Sequence, residues 1–248
     1  MDLGLRGRTA IVCGASSGLG LAAAEALAEE GANVTMLARR RDELEREANR
    51  IGALAVRGDV TNAADLERLV ERTLQAFGGI DVLVWNSGGP PAGPATAIDD
   101  DSLESAFELL LQPFMRLVRL CLPHLERSEA GRIVCITSVA AKEPTSHLAL
   151  SNTIRPGVTG YAKSLARELG PRGITVNCVA PGRIDTPRMT ELYGEDGPPP
   201  EEIREIPLER MGTPREFGDV VCFLASARAA YVSGTTLPVD GGMSRGLL

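Results

Sequence analysis

Three glycines fall within seven residues, Gly14-Ala15-Ser16-Ser17-Gly18-Leu19-Gly20, between an apolar run and a segment with helical periodicity. Glycine permits a tight turn and lets backbone amides approach a pyrophosphate at the positive end of a helix. The glycine spacing alone describes any turn, but a strand before it and a helix after it are the setting a dinucleotide phosphate site requires. The second apolar run ends in Arg39-Arg40-Arg41, with no acid at the strand end. A carboxylate there holds ribose hydroxyls, whereas guanidinium groups pair with a 2′-phosphate, so the arginines favour NADP over NAD. Solvated arginines at a helix start are the plainer alternative. Five cysteines at 13, 121, 135, 178 and 222 form no C-x-x-C pair, and His124 and His147 are the sole imidazoles. No metal is expected, and the thiols read as free and buried.

The elements that must position these groups repeat as βα units. Strand-like runs span Thr9 to Cys13, Asn33 to Leu37, Leu54 to Arg57, Val82 to Asn86, Arg132 to Thr137, Thr175 to Val179 and Thr236 to Val239. Their near-continuous apolar character implies a parallel sheet covered on both faces. Helical periodicity covers Leu19 to Glu30, Asp42 to Arg50, Asn62 to Phe77, Asp101 to Leu125, Pro156 to Leu169 and Pro214 to Ser226. The expected fold is α/β: a single-domain Rossmann fold over residues 1–248, a doubly wound parallel sheet of about seven strands with helices on both faces. Met189 to Pro207, rich in Gly, Pro and Glu, reads as an unstructured lid or binding loop within about 188–212, or as a solvated surface excursion.

Composition narrows the function classes. The chain of 248 residues is 44% hydrophobic and 24% charged with a net charge of −7, ordinary for a soluble globular domain. Its sequence pI near 5.1 argues against nucleic acid as a partner, since phosphate backbones are bound by basic faces. No apolar run is long enough to span a bilayer and the N-terminal segment has no signal-like core, so the expectation is a cytoplasmic protein with no membrane partner.

From Leu5 to Gly242 the ordered motifs resemble the short-chain dehydrogenase/reductase family, and within it the 3-oxoacyl-acyl-carrier-protein reductase-like members. The resemblance rests on the glycine loop, Asp59-Val60, Asn86-Ser87-Gly88, Ile136-Thr137-Ser138, Val176-Asn177, Pro181-Gly182-Arg183-Ile184-Asp185-Thr186, Met211-Gly212-Thr213-Pro214 and Val239-Asp240-Gly241-Gly242. It implies that Asp59 bonds the adenine amino group with Val60 beside it, and that Asn86, Ser87 and Gly88 line the cofactor. Ile184 would contact the cofactor, and Thr186 would touch the nicotinamide carboxamide. Each has a structural alternative: Asp59 can cap the next turn and Asn86 can satisfy backbone groups at the sheet end. Cys13 and Trp85 depart from the family pattern, which has threonine and asparagine there.

The same resemblance implies catalysis by a tyrosine, a lysine four residues later, a serine thirteen residues before the tyrosine and a helix asparagine. In this chain those positions hold Ser151, Arg155, Ser138 and Leu110, so only Ser138 is retained. Arg155 cannot relay a proton as lysine can, but it can hold a ribose or stabilise an oxyanion. Tyr161 and Lys163 are two residues apart and too far along the helix to substitute, so they read as a packing residue and an exposed one. Pro156 should bend the helix or begin it. Lys142, His147 and Tyr193 are the conceivable replacement proton donors, with capping or packing the plainer reading of His147 and folding into the lid that of Tyr193. The expected function is hydride transfer between NADP(H) and a carbonyl or secondary alcohol of a small molecule; the alternative is an inactive dinucleotide-binding sensor or structural protein. The acidic lid weighs against an acyl-carrier protein as substrate holder, and the apolar segment Leu103 to Leu125 suggests a homo-oligomer, a tetramer by family resemblance.

Overall fold

The computed structural model describes residues 1–246. Seven strands form one parallel sheet in the order β3-β2-β1-β4-β5-β6-β7. They are β1 (Thr9–Cys13), β2 (Asn33–Ala38), β3 (Leu54–Arg57), β4 (Val82–Trp85), β5 (Arg132–Ile136), β6 (Thr175–Pro181) and β7 (Thr236–Val239). Alternation along β1 shows why the runs are apolar throughout. Ile11 and Cys13 enter one core, Ala10 and Val12 the other, and all four are fully buried. The first core is covered by α3 (Ala63–Phe77), α4 (Asp100–Leu110), α5 (Gln112–Leu125) and α6 (Ala149–Leu169). The second is covered by α1 (Gly18–Glu29), α2 (Arg41–Ile51) and α9 (Pro214–Ala225). All five cysteines are free and buried, and burial pushes the thiols of Cys121 and Cys222 up to about 12.

Three sequence expectations change here. The helix read from Asp101 to Leu125 is two helices broken at Leu111. Pro113 has no N–H for the carbonyl of Leu109 and restricts Gln112, whereas in the first turn of a new helix it costs little. The helix expected to start at Pro156 starts at Ala149 and runs through the proline. Its start is held by Asn152, whose Oδ1 accepts from the Thr145 N–H (3.0 Å) and whose Nδ2 donates to the Thr145 carbonyl (2.9 Å). The segment read as an unstructured lid or surface excursion contains α7 (Pro187–Tyr193) and α8 (Pro200–Arg204), each with a proline in its first turn. A bridge between Ile184 and Gly212 closes the base of this segment. Among the described residues no helix is long and apolar enough to cross a membrane.

Candidate active site

The carboxyl ends of the strands open into a cleft of about 480 Å³, at the point where β1 and β4 lead in opposite directions from the centre of the sheet. Its floor is the turn after β1. Gly14 (φ +59°) and Gly18 (φ +58°) occupy the left-handed region that other residues avoid. Ser17 is the N-cap of α1, yet its side chain caps nothing, and the first turn of α1 carries no acid. The amides of that turn therefore have no side-chain acceptor, the condition under which a helix end takes an anion. Gly20 belongs to a different job. It does not line the cleft, and a Cβ on it would lie 2.2 Å from the Gly14 carbonyl oxygen. The missing side chain lets helix and turn pack this closely.

Other predicted binding residues converge on this floor. Asn86, at the end of β4, donates through Nδ2 to the Gly14 carbonyl (3.2 Å), tying sheet end to turn. Ser16, Leu19, Val60, Ser87, Gly88, Ile184 and Thr186 line the same cleft. Arg40 donates from Nη2 to Ser17 Oγ (2.8 Å) and pairs with Glu43 (2.8 Å). Arg39 lies 3.8 Å from the Asp59 carboxylate with 75% of its side chain exposed. Arg41 points away from the cleft and pairs with Glu45 on the surface of α2. Asp59 caps its turn, accepting from the Thr61 N–H (3.0 Å) and hydroxyl (2.9 Å), and lines the cleft as well.

The residues expected to be catalytic come together where β5 and α6 meet. Ser138 and Ser151 both line it, from the turn after β5 and the first turn of α6. Ser138 Oγ accepts from the Ala140 N–H (3.1 Å). Arg155, one helical turn beyond Ser151, donates through Nε to Ser151 Oγ (3.0 Å) and through Nη1 to the Thr137 carbonyl (2.8 Å). Burial pulls the Arg155 pKa down to about 10, and the nearby charge of Arg188 acts in the same direction. It remains a cation at neutral pH. Leu110, at the asparagine position, is buried in the core, and its neighbour Leu109 lines the cleft instead.

The alternative proton donors separate clearly. Tyr161 packs edge-on against Phe114, with ring centroids 5.5 Å apart, and Trp85 stacks on the same ring at 5.6 Å. Lys163 donates to the Gly234 carbonyl (2.7 Å), away from the cleft. Lys142 and His147 do not line the cleft; the carbonyl of His147 (φ +58°) accepts from the Gly93 N–H. Tyr193 does line it. Its hydroxyl donates to Glu202 (2.8 Å), which also pairs with Arg183. Burial and this carboxylate hold the Tyr193 proton more tightly than an ordinary phenol.

Arg188 was not legible as a site residue. From the first turn of α7 it reaches across the cleft, donating through Nη2 to the Pro90 carbonyl (2.8 Å) and through Nη1 to Glu191 (2.8 Å). A Cβ on Gly89 would meet that guanidinium at 2.8 Å, so glycine leaves the room it occupies. No local pattern announces an arginine that bonds a carbonyl 98 residues away.

A family model described as enoyl-(acyl carrier protein) reductase matches residues 14–244. The 3-oxoacyl-acyl-carrier-protein reductase of Vibrio cholerae serotype O1 is 35% identical, over 97% of this chain and 99% of its own length. Dehydrogenase/reductase SDR family member 4 of Oryctolagus cuniculus is 33% identical over 96% of this chain and 94% of its own. Among solved structures, L-sorbose reductase of Gluconobacter frateurii, complexed with NADPH and L-sorbose, superposes with a TM-score of 0.93 at 33% identity, covering 100% of both chains.

Proposed function

The chain belongs to the short-chain dehydrogenase/reductase family, and we propose that it transfers a hydride between NADP(H) and a carbonyl or secondary alcohol using Ser138, Ser151 and Arg155. The observation that carries this reading is their convergence on one end of a cleft whose other end is an anion-ready glycine turn. The residues present fit a dinucleotide. The uncapped first turn of α1 would take the pyrophosphate, Arg39 and Arg40 the 2′-phosphate, and Asp59 with Val60 the adenine. Asn86, Ser87, Gly88, Ile184 and Thr186 would line the remainder. When bound, NADPH supplies the hydride, becoming NADP⁺ as the carbonyl carbon is reduced.

The protein's own groups manage the substrate oxygen. Ser138 and Ser151 each accept a hydrogen bond from the protein, at Oγ from Ala140 N–H and Arg155 Nε respectively, which leaves each hydroxyl proton free to donate into the cleft. Ser138 orients the oxygen, and the Arg155 charge stabilises it as negative charge develops. A serine hydroxyl is too weak an acid to surrender its proton near neutral pH, so Ser151 passes one on from water and is reprotonated in the same step. The test is NADPH oxidation across a panel of aldehydes and ketones. Tight NADPH binding with no oxidation of any of them would leave the inactive dinucleotide-binding alternative.

Exposed Glu195, Asp196, Glu201 and Glu205 rim the lid, which disfavours docking of an acidic carrier protein and supports a free small-molecule substrate. NADP preference is checked by calorimetry on the Arg39→Ala, Arg40→Ala double variant. NADPH affinity should fall by about 10- to 100-fold, the worth of charge-assisted hydrogen bonds, with NADH affinity little changed. Equal losses for both cofactors would remove these arginines from the 2′-phosphate site.

We read the assembly as a homotetramer. Leu103 (38% exposed) and Phe107 (39%) on α4 are large apolar groups left on the outside, and Tyr231 lies fully exposed near the edge strand β7, where Leu237 is also exposed. Light scattering at micromolar concentration should give about four times the chain mass of 26.2 kDa. Replacing Leu103 and Phe107 with glutamate should shift it toward smaller species, and a monomeric wild type would refute the reading.

A further inference from the structure

Most cations lining the cleft are matched by an anion of the protein itself. Arg40 has Glu43, Arg183 has Glu202, and Arg39 has Asp59 at longer range. Arg155 is the exception: its two protein partners are the neutral oxygens of Ser151 and Thr137, and among the described residues it forms no ion pair. Three of its five N–H groups have no protein acceptor. A second guanidinium, Arg188, lines the same cleft, held by the Pro90 carbonyl, and its carboxylate partner Glu191 is 63% exposed. Such an exposed pair contributes little and leaves most of the Arg188 charge to the cleft. Thr137, which also lines the cleft, has a buried hydroxyl without a partner among the described residues.

Two guanidinium groups that line one cleft, near enough for the charge of Arg188 to be felt at Arg155, repel unless an anion offsets them. The phosphates of the cofactor have donors of their own in the proposed arrangement, the glycine turn and Arg39 with Arg40, and the nicotinamide riboside end adds no negative charge. The remaining occupant is the substrate. We propose that the molecule reduced in this cleft is a small carbonyl compound bearing a carboxylate, bound between Arg155 and Arg188. A carboxylate suits the planar N–H edge that Arg155 leaves open. Leu109, Leu148, Met189 and Leu192 give the rest of the molecule apolar walls. The acidic rim of the lid does not bar a singly charged molecule, because salt screens exposed charges within about 8 Å.

The inference rests on the reductase reading, and the experiment separates the two. Calorimetry on the NADPH-loaded protein compares 2-oxohexanoate and 4-oxohexanoate with their methyl esters, and NADPH absorbance follows turnover of each. At least one acid should bind ten-fold or more tighter than its ester. Arg188→Met should reduce that acid-over-ester ratio at least five-fold, and Arg188→Lys, which keeps the charge, should restore part of it. Arg155→Met should reduce the ratio further. Acids and esters bound alike, or variants that weaken both equally, would overturn the proposal. If the esters are nevertheless reduced, the reductase reading survives alone. If an acid binds tightly and none is reduced, the anion site survives and the reductase reading fails.

Discussion

Ser138→Ala is expected to lower turnover of a verified carbonyl substrate by about 10- to 1,000-fold while leaving NADPH affinity nearly unchanged. Ser138 lies in the turn directly after β5 with its oxygen already accepting from Ala140, so its proton has no competing protein acceptor. In the proposed role, removing it deletes a donor to the substrate oxygen and leaves the phosphate contacts in place. Ser151→Ala should do less, because Arg155 stays anchored on the Thr137 carbonyl when Ser151 Oγ is gone. Stopped-flow kinetics with single-turnover amplitudes would separate the chemical step from product release. An unchanged rate for Ser138→Ala would show that the role implied by resemblance is wrong. Tyr193, the one tyrosine lining the cleft, would then become the first donor to test, by Tyr193→Phe.

The second large effect belongs to the glycine turn. Gly20→Ala should destabilise the protein by about 3 kcal/mol and abolish tight cofactor binding, because the added methyl meets the backbone oxygen of Gly14 and the amide of Asn86. The Gly14 oxygen is backbone, and the Asn86 side chain is itself tied to it by a hydrogen bond, so the turn must move. At roughly 2–4 °C per kcal/mol for a chain of this size, thermal unfolding should fall by about 6–12 °C. Gly88→Ala provides the contrast, since a Cβ there meets nothing within 4 Å. That variant should unfold at the wild-type temperature, and any loss of NADPH affinity would come from contact with the cofactor. A Gly20→Ala protein of wild-type stability would mean that the turn relaxes freely and that the close packing is incidental.

Whatever followed from local chemistry was readable in advance. β1, β3 and β7 were legible to the residue, because each is an apolar run bounded by polar or glycine-rich turns. The glycine turn and the arginines at the end of β2 were legible for the same reason. Helix ends were harder wherever proline allows two answers. Pro156 signals a start, but the bonds between Asn152 and Thr145 stabilise a start seven residues earlier, and these depend on a loop conformation that periodicity does not encode. Pro113 hid inside a leucine-rich stretch whose apolar pattern continues across the break at Leu111. The lid helices are too short for a periodic signal, and α8 is announced only by the prolines that precede it. In the candidate site, the missed residue was Arg188. Its importance arises from a contact between segments far apart in sequence, which composition and spacing do not report.

The strand order has a kinetic consequence. Every neighbouring pair in the sheet is parallel, so no two strands can zip together through a tight turn, and each pairing waits for an intervening excursion to close. The central pair, β1 with β4, is the most delayed: Asp81, just before β4, accepts the backbone N–H of Thr9 across 72 residues. Closing a loop of that length costs roughly 4 kcal/mol of chain entropy before any contact offsets it. Native contacts are therefore predominantly distant in sequence, which places refolding at the slow end for a domain of this size and leaves apolar strands unpaired meanwhile. On the ribosome, β1 emerges long before β4 can reach it, and during that interval its fully apolar run depends on chaperones or on the early pairing with β2 to stay out of aggregates.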